Sequence, residues 1–357
     1  NELLCQNRED EVLLAFYQKQ HNAYRDYIVS NIFHQRKNEI VLDIKTLLML
    51  DIEYGGIKSV IFSIKQMILA LKSLTKKKIK KCINHFFQYL FLIIMKNEMI
   101  YPAIVIATYN RPHALSRLLN SIAVANYDGY NDIPLVISID GGGNPKCEEI
   151  ANNFAWTYGK KIIITHVANL GLKQHILSCG DLTERFGAII MLEEDLIVSP
   201  YFYDYTVQTS TYYQCESKIA GVSLHSYKAM DLTGVPITPM ANGNDVFFAQ
   251  IPSSWGQCWT KKQWQEFKKY FMQYEHREDM FEILPKSVRE SWPSASSWKK
   301  YFYSYMVEKD MYFVIPYASY TTNMADLGEH FFQETLTFQV PLMMFKKSFV
   351  LSQFNKC

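Results

Sequence analysis

Four short apolar runs, each ending in polar or charged residues and separated by helix-length segments, constrain this chain most. They are Ala103–Ala107, Leu135–Ile139, Ile162–Val167 and Ala188–Leu192. Runs of this length, rich in β-branched residues and stopped by Gly or Asn, fit strands buried on both faces. The segments between them, Ala114–Ile122 and Lys173–Phe186 among them, carry helical spacing. Strands alternating with helices predict an α/β fold with a mostly parallel, doubly wound sheet. In such a sheet the carboxyl ends of the strands share one edge, and ligands gather there.

What stands at those ends is therefore informative. The first run leads into Thr108, Asn110 and Arg111, and the second into Asp140. After the third come Asn169 and Lys173, and the fourth ends in Glu193-Glu194-Asp195. Three adjacent acids at a strand mouth repel one another and are costly to desolvate unpaired. A divalent cation offsets that cost, and oxygen ligands suit Mg²⁺ or Mn²⁺. Arg grips phosphate with two donors, and an isolated Asp accepts from a base N–H. Together these residues form a cradle for a nucleoside diphosphate. Each also has a plainer reading: Asn110 and Asp140 are common turn residues, Lys173 is a solvated helix lysine, and the acids are a solvated turn. The fingerprints GxGxxG and GxxxxGK[ST] are absent, so neither a dinucleotide site nor a P-loop is indicated.

The 357 residues suffice for one or two domains, and 48% hydrophobic content says folded. A net charge of +2 gives no reason to expect nucleic acid. Seven scattered cysteines without a CxxC pair suit reduced thiols in a cytoplasmic protein. No signal peptide is legible, and the start at Asn1 without a Met suits a piece of a longer protein. Residues 1–98 form a distinct region of helical spacing, and 99–357 the α/β domain. Within the first lies Lys72–Lys81, six of its residues lysine, before Phe86, Phe87, Tyr89 and Phe91. Such a helix lies on the inner face of an anionic membrane, joins copies of the chain, or turns its lysines to water while its aromatics pack on the next domain.

Ala107–Pro112 resembles the opening of family 2 glycosyltransferases and related nucleotide-sugar transferases of the GT-A fold. Val136–Gly141 resembles their second strand, and Asn169–Lys173 the segment before a donor-binding helix. Leu192–Pro200 is similar to the acidic motif of the N-acetylglucosaminyltransferase of N-glycan maturation and its bacterial relatives. Ser254–Thr260 resembles the Trp-Gly segment of those relatives, and Tyr317–His330 their closing loop. The resemblance covers about residues 100–335. It implies a metal-dependent transferase of bacterial polysaccharide biosynthesis. Such an enzyme moves a sugar from a UDP-sugar, UDP-GlcNAc being one, to a glycan, lipid-linked or protein acceptor, with inversion. It implies Asp195 as ligand of Mn²⁺ or Mg²⁺, and Thr108, Asn110, Arg111, Asp140, Lys173, Glu193, Glu194, Trp255, Gly256 and His330 as donor contacts. Trp255 serves sugar stacking or core packing, and His330 a metal or diphosphate contact in a lid or an ordinary surface position.

One departure matters. The family carries its catalytic base as an Asp directly after a tryptophan, and here Trp298 is followed by Lys299 and Lys300. An ammonium is a poor base at neutral pH. Glu290, Glu308, Asp310, Asp245 and Glu329 are the nearby carboxylates, and the sequence does not choose among them. A second reading is thus a non-catalytic nucleotide-sugar or glycan-binding half of a larger synthase.

Overall fold

The computed structural model describes residues 99–357 apart from 231–233, 241, 292, 294, 327–337, 346–347, 353 and 355–357. Residues 1–98, whose spacing predicts helices and which carry the lysine cluster, and Glu329 and His330 lie outside the described residues.

The four runs form β1 (Ala103–Thr108), β2 (Leu135–Ile139), β3 (Lys161–Thr165) and β4 (Ala188–Glu193). Between them lie α1 (Pro112–Ala123), α2 (Pro145–Asn153), α3 (Gly171–Gly180) and the single turn α4 (Thr183–Phe186). Proline begins both α1 and α2, where its missing N–H costs nothing. Asn144 caps α2 by accepting from the Lys146 N–H at 3.0 Å. The expected single helix from Lys173 to Phe186 is broken after Gly180. There the indole of Trp264 packs so close that a Cβ on Gly180 would meet it at 2.0 Å. Asp181, at the break, accepts from Trp264 Nε1 at 2.8 Å and from Lys268.

The remaining elements are β5 (Leu196–Val198), α5 (Phe202–Tyr213), β6 (Ile219–Ser223), β7 (Val246–Ala249), β8 (Gln257–Thr260), α6 (Lys261–Tyr274), α7 (Lys286–Ser291), α8 (Trp298–Glu308), β9 (Tyr312–Pro316) and β10 (Thr321–Asn323). Eight strands form one sheet in the order β3-β2-β1-β4-β8-β6-β9-β7, and β10 pairs with β5 in a second, two-stranded sheet. The half β3-β2-β1-β4 is wholly parallel. Beyond β4 the sheet is mixed, with β8 antiparallel to both β4 and β6.

Alternation along β1 shows how both faces are covered. Ile104 and Ile106 join one apolar cluster with Leu115, Leu118 and Phe202, from α1 and α5. Ala103, Val105 and Ala107 join the other with Ile176, Trp264 and Phe302, from α3, α6 and α8. Helices on both faces of a Rossmann-like sheet are the GT-A arrangement that the resemblance implied.

The register aligns the strand ends. Thr108 lies opposite Ile139, Ile139 opposite Thr165, and Ala107 opposite Glu193. The first two loops of that edge are in close contact, since a Cβ on Gly143 would lie 2.0 Å from the Tyr109 carbonyl oxygen. Backbone cannot yield as a side-chain tip can. Gly143→Ala is therefore expected to destabilise the domain by about 2–3 kcal/mol, seen as a lower urea midpoint at unchanged slope. A wild-type midpoint would mean that the two loops are not packed as described.

Candidate functional site

β4 ends where its neighbours end, so its three terminal acids stand over the middle of the carboxyl edge. Glu194 and Asp195 are buried, and Glu193 is partly so. Arg111, leading into α1, bridges two of them. Its Nε donates to Glu194 Oε1 at 2.9 Å and its Nη1 to Asp195 Oδ2 at 3.1 Å. The second oxygen of Asp195, Oδ1, is buried with no hydrogen-bond partner. Burial works against charge on Arg111, but Glu194 and Asp195 outweigh it and hold the guanidinium ionised. Glu194 is raised by burial, with Arg111 opposing. Burial, reinforced by Asp195 and Glu194, pushes Glu193 up to about 8 although Arg111 and Lys299 pull the other way.

The segment after β9 closes over this group. β10 pairs antiparallel with β5, placing Asn323 opposite Leu196. The Met324 N–H then donates to the Asp195 carbonyl at 2.9 Å. Asp326 forms an ion pair with Arg117 of α1, and its carbonyl accepts from Arg111 Nη1 at 3.4 Å. The sequence marked Tyr317–His330 as a closing loop. The partnership of Arg117 with Asp326 spans 209 residues and leaves no local pattern to find.

Asp140 is buried, and both its oxygens hold backbone. They accept from the N–H groups of Gly141 at 2.9 Å, Leu170 at 2.8 Å and Gly171 at 3.1 Å. Asn169 Oδ1 accepts from the same Gly171 N–H at 2.7 Å. The Asp140 carboxylate thus ties the end of β2 to the start of α3. Below it, Ser138 Oγ meets Nε2 of His175 at 2.8 Å and Nε2 of His166 at 3.3 Å. Burial holds His175 neutral down to about 4. Thr108 is buried at the end of β1, and Asn110 is exposed at the rim. Lys173 is turned toward α6 and α8, 3.9 Å from Glu275 Oε1 and 5.4 Å from the centroid of Tyr301.

Trp255 is half-buried, stacked on Tyr227 at 5.4 Å and edged by His225 at 4.9 Å. Gly256 takes φ +93°, and a Cβ there would strike Thr321 at 2.7 Å. Trp259 and Trp264 are core residues with ring centroids 4.8 Å apart. Lys299, in the first turn of α8, is buried with Nζ 5.7 Å from the Trp255 ring centroid. Its charge also acts on Glu193. The amide of Gln257, which the sequence reading passed over, is fully buried without a partner opposite Met191 of β4.

The carboxylates weighed as bases fall elsewhere. Asp310 pairs with Lys218 just before β6 and β9 begin, at the amino edge of these parallel strands. Glu308, accepting from Tyr270 and bound to Lys309, precedes it on the chain. A five-residue strand puts that edge roughly 16 Å from Glu193. Asp245 stands at the correct edge but beside β7, four strands away, and accepts from Val350 N–H. Glu290 is exposed, 3.7 Å from Lys286.

Among the described residues no group of three or more His, Cys, Asp or Glu is arranged to hold a metal ion. One buried carboxylate oxygen, Asp195 Oδ1, has no hydrogen-bond partner, and a hard oxygen donor of that kind fits Mg²⁺ or Mn²⁺. Among the described residues, too, no helix is long and apolar enough to cross a membrane.

No family model matches the sequence, and no curated protein does. Among solved structures the chain is similar to S. aureus TarS, with 11% identity and a TM-score of 0.40 over 62% of this chain and 36% of that one. It is similar to TarS 1-349, with 12% identity and a TM-score of 0.39, covering 62% and 60%. The same protein in complex with UDP gives 11% identity, a TM-score of 0.40, and coverage of 62% and 60%. The chain thus spans about a third of the longer TarS structure and three-fifths of the shorter.

The raised Glu193 has a pH signature. Between its ordinary 4.5 and about 8 the folded chain keeps a proton that the unfolded chain has released. Stability from this group is therefore lost as pH rises through that window, with the whole cost present above it. Glu193→Gln has no proton to lose. It is expected to gain on the order of 2 kcal/mol over wild type between pH 5 and pH 9 in urea titrations. Parallel pH profiles would show that Glu193 titrates as an ordinary carboxylate.

Proposed function

We propose that this chain is a metal-dependent glycosyltransferase that moves a sugar from a UDP-sugar to an acceptor hydroxyl. One observation carries the reading: the buried, unpartnered Oδ1 of Asp195 at the carboxyl end of a central strand, beside a guanidinium. A buried carboxylate oxygen without a donor is costly unless a cation meets it. Asp195 would hold Mn²⁺ or Mg²⁺, which neutralises charge on the departing diphosphate.

The chain's own residues have separable roles in this reading. Arg111 offers N–H donors to phosphate oxygens, and Asp140 fixes the loop against which the base lies. Glu194 faces the ribose, and Glu193 the reacting sugar. Trp255, held by Tyr227 and His225, presents a ring to the sugar, and Gly256 keeps the approach open. In an inverting transfer the acceptor oxygen attacks the anomeric carbon, the bond to the diphosphate breaks, and its electron pair leaves with UDP. The acceptor proton needs a base. Lys299 holds the family position but brings a cation instead. We assign the proton to Glu193, which is partly exposed at this edge and within the field of Lys299; burial holds its pKa up to about 8, so the fraction able to accept a proton grows as pH rises toward that value. The donor sugar, whether N-acetylhexosaminyl or hexosyl, and a glycan, lipid-linked or protein acceptor belong to the same proposal.

Hydrolysis of a panel of UDP-sugars with Mn²⁺ tests it. Asp195→Ala, or removal of Mn²⁺ with EDTA, is expected to lower turnover by about 10²–10³-fold. Glu193→Gln is expected to lower transfer by about 10²-fold or more while keeping UDP affinity. Lys299 at the base position favours one second reading, a binding half of a larger synthase. Metal-dependent UDP binding with no turnover on any donor or acceptor would establish that reading and sink the first.

A further inference from the structure

The geometry points to Arg111 as an internal counter-ion that holds Asp195 until a divalent cation displaces it, so that guanidinium and metal compete for one carboxylate. This rests on the reading of Asp195 as a metal ligand. The guanidinium does not grip one carboxylate with two donors. It is shared, Nε on Glu194 and Nη1 on Asp195, with a long third contact to the Asp326 carbonyl at 3.4 Å. It reaches only one Asp195 oxygen and leaves the other buried and unpartnered. Arg111 also stands at the amino end of α1, the positive end of the helix dipole. A cation is disfavoured there unless anions meet it. The two carboxylates supply that charge.

A dication on Oδ1 would bring like charge close to the guanidinium across a partly buried carboxylate, where repulsion is weakly screened. Both cannot keep Asp195 on equal terms. A diphosphate resolves the conflict, because it supplies oxygens that Arg pairs well with and that the metal also needs. Arriving donor therefore draws Arg111 off Asp195 and opens the carboxylate to the metal. The same movement releases the long contact to Asp326, while the Arg117–Asp326 pair keeps that loop in place. Metal alone must displace Arg111 without help, so its apparent affinity is reduced by the fraction of molecules already open.

Mn²⁺ binding to the full chain, followed by calorimetry and by the EPR signal of free Mn²⁺, tests this without any turnover. Arg111→Gln is expected to bind Mn²⁺ alone about tenfold more tightly than wild type. Arg111→Lys keeps the charge but cannot bridge two carboxylates, and is expected to fall between the two. Mn²⁺ affinity unchanged or weakened in Arg111→Gln overturns the inference. So does a tightening in Arg111→Gln with none in Arg111→Lys, which would mean a general field effect. If Arg111→Gln does not fold by circular dichroism, the Arg111→Lys comparison decides alone. Asp195→Ala separates the layers. If it abolishes Mn²⁺ binding while the Arg111 variants change nothing, only the competition fails. If Mn²⁺ binds equally well without Asp195, or binds no form, the metal reading fails with it.

Discussion

The carboxylates at the end of β4 cannot stand as they do without cations against them. Burial raises Glu193 and Glu194, and Asp195 keeps one oxygen with no donor. Arg111 meets two of the three directly, and the charge of Lys299 acts on the first. The Asp195 backbone meanwhile fastens the segment that follows β10, through Met324. A single charged corner thus joins the β1–α1 loop, the mouth of β4 and the closing segment.

The same corner differs from a solvated turn, because two of its acids are buried and held by a guanidinium. Its charges are balanced within the protein, yet the balance is incomplete on the side of Asp195 Oδ1. In the proposed reading, a ligand that brings phosphate oxygens and a cation completes the set and gives Arg111 a further partner. The aromatic cluster around Trp255 lies on the sheet-crossing segment just before β8, whose first residue pairs with Met191 of β4. Asp195 and Trp255 are therefore brought toward each other through strand pairing, although sixty residues separate them in the chain.

Much of this was legible beforehand. The four apolar runs became four parallel strands because each is short, β-branched and bounded by turn residues. Their polar ends fell on one edge because parallel strands leave no alternative. Asp195 and Arg111 were both picked out, but as independent contacts. That they bind each other follows from the register of β1 against β4, which no spacing in the sequence encodes. Lys173, a donor contact by the resemblance, lies against Glu275 and Tyr301, where α3 packs on α6 and α8. Asp140 stands at the strand end where the sequence puts it, and its carboxylate accepts from three backbone N–H groups. Gln257 carried no signal, since a glutamine after Trp-Gly is unremarked until its amide is found enclosed.

By itself the sequence determined the alternation of strands and helices, the edge at which the polar strand ends collect, and the acids that stand there. Those follow from local periodicity and from the charge of adjacent residues, which need no partner to be read. Tertiary structure alone decided which cation faces which acid, which carboxylate oxygen is left open, and which candidate bases are too far away. These depend on distances between residues tens to hundreds of positions apart, and only the folded sheet sets them.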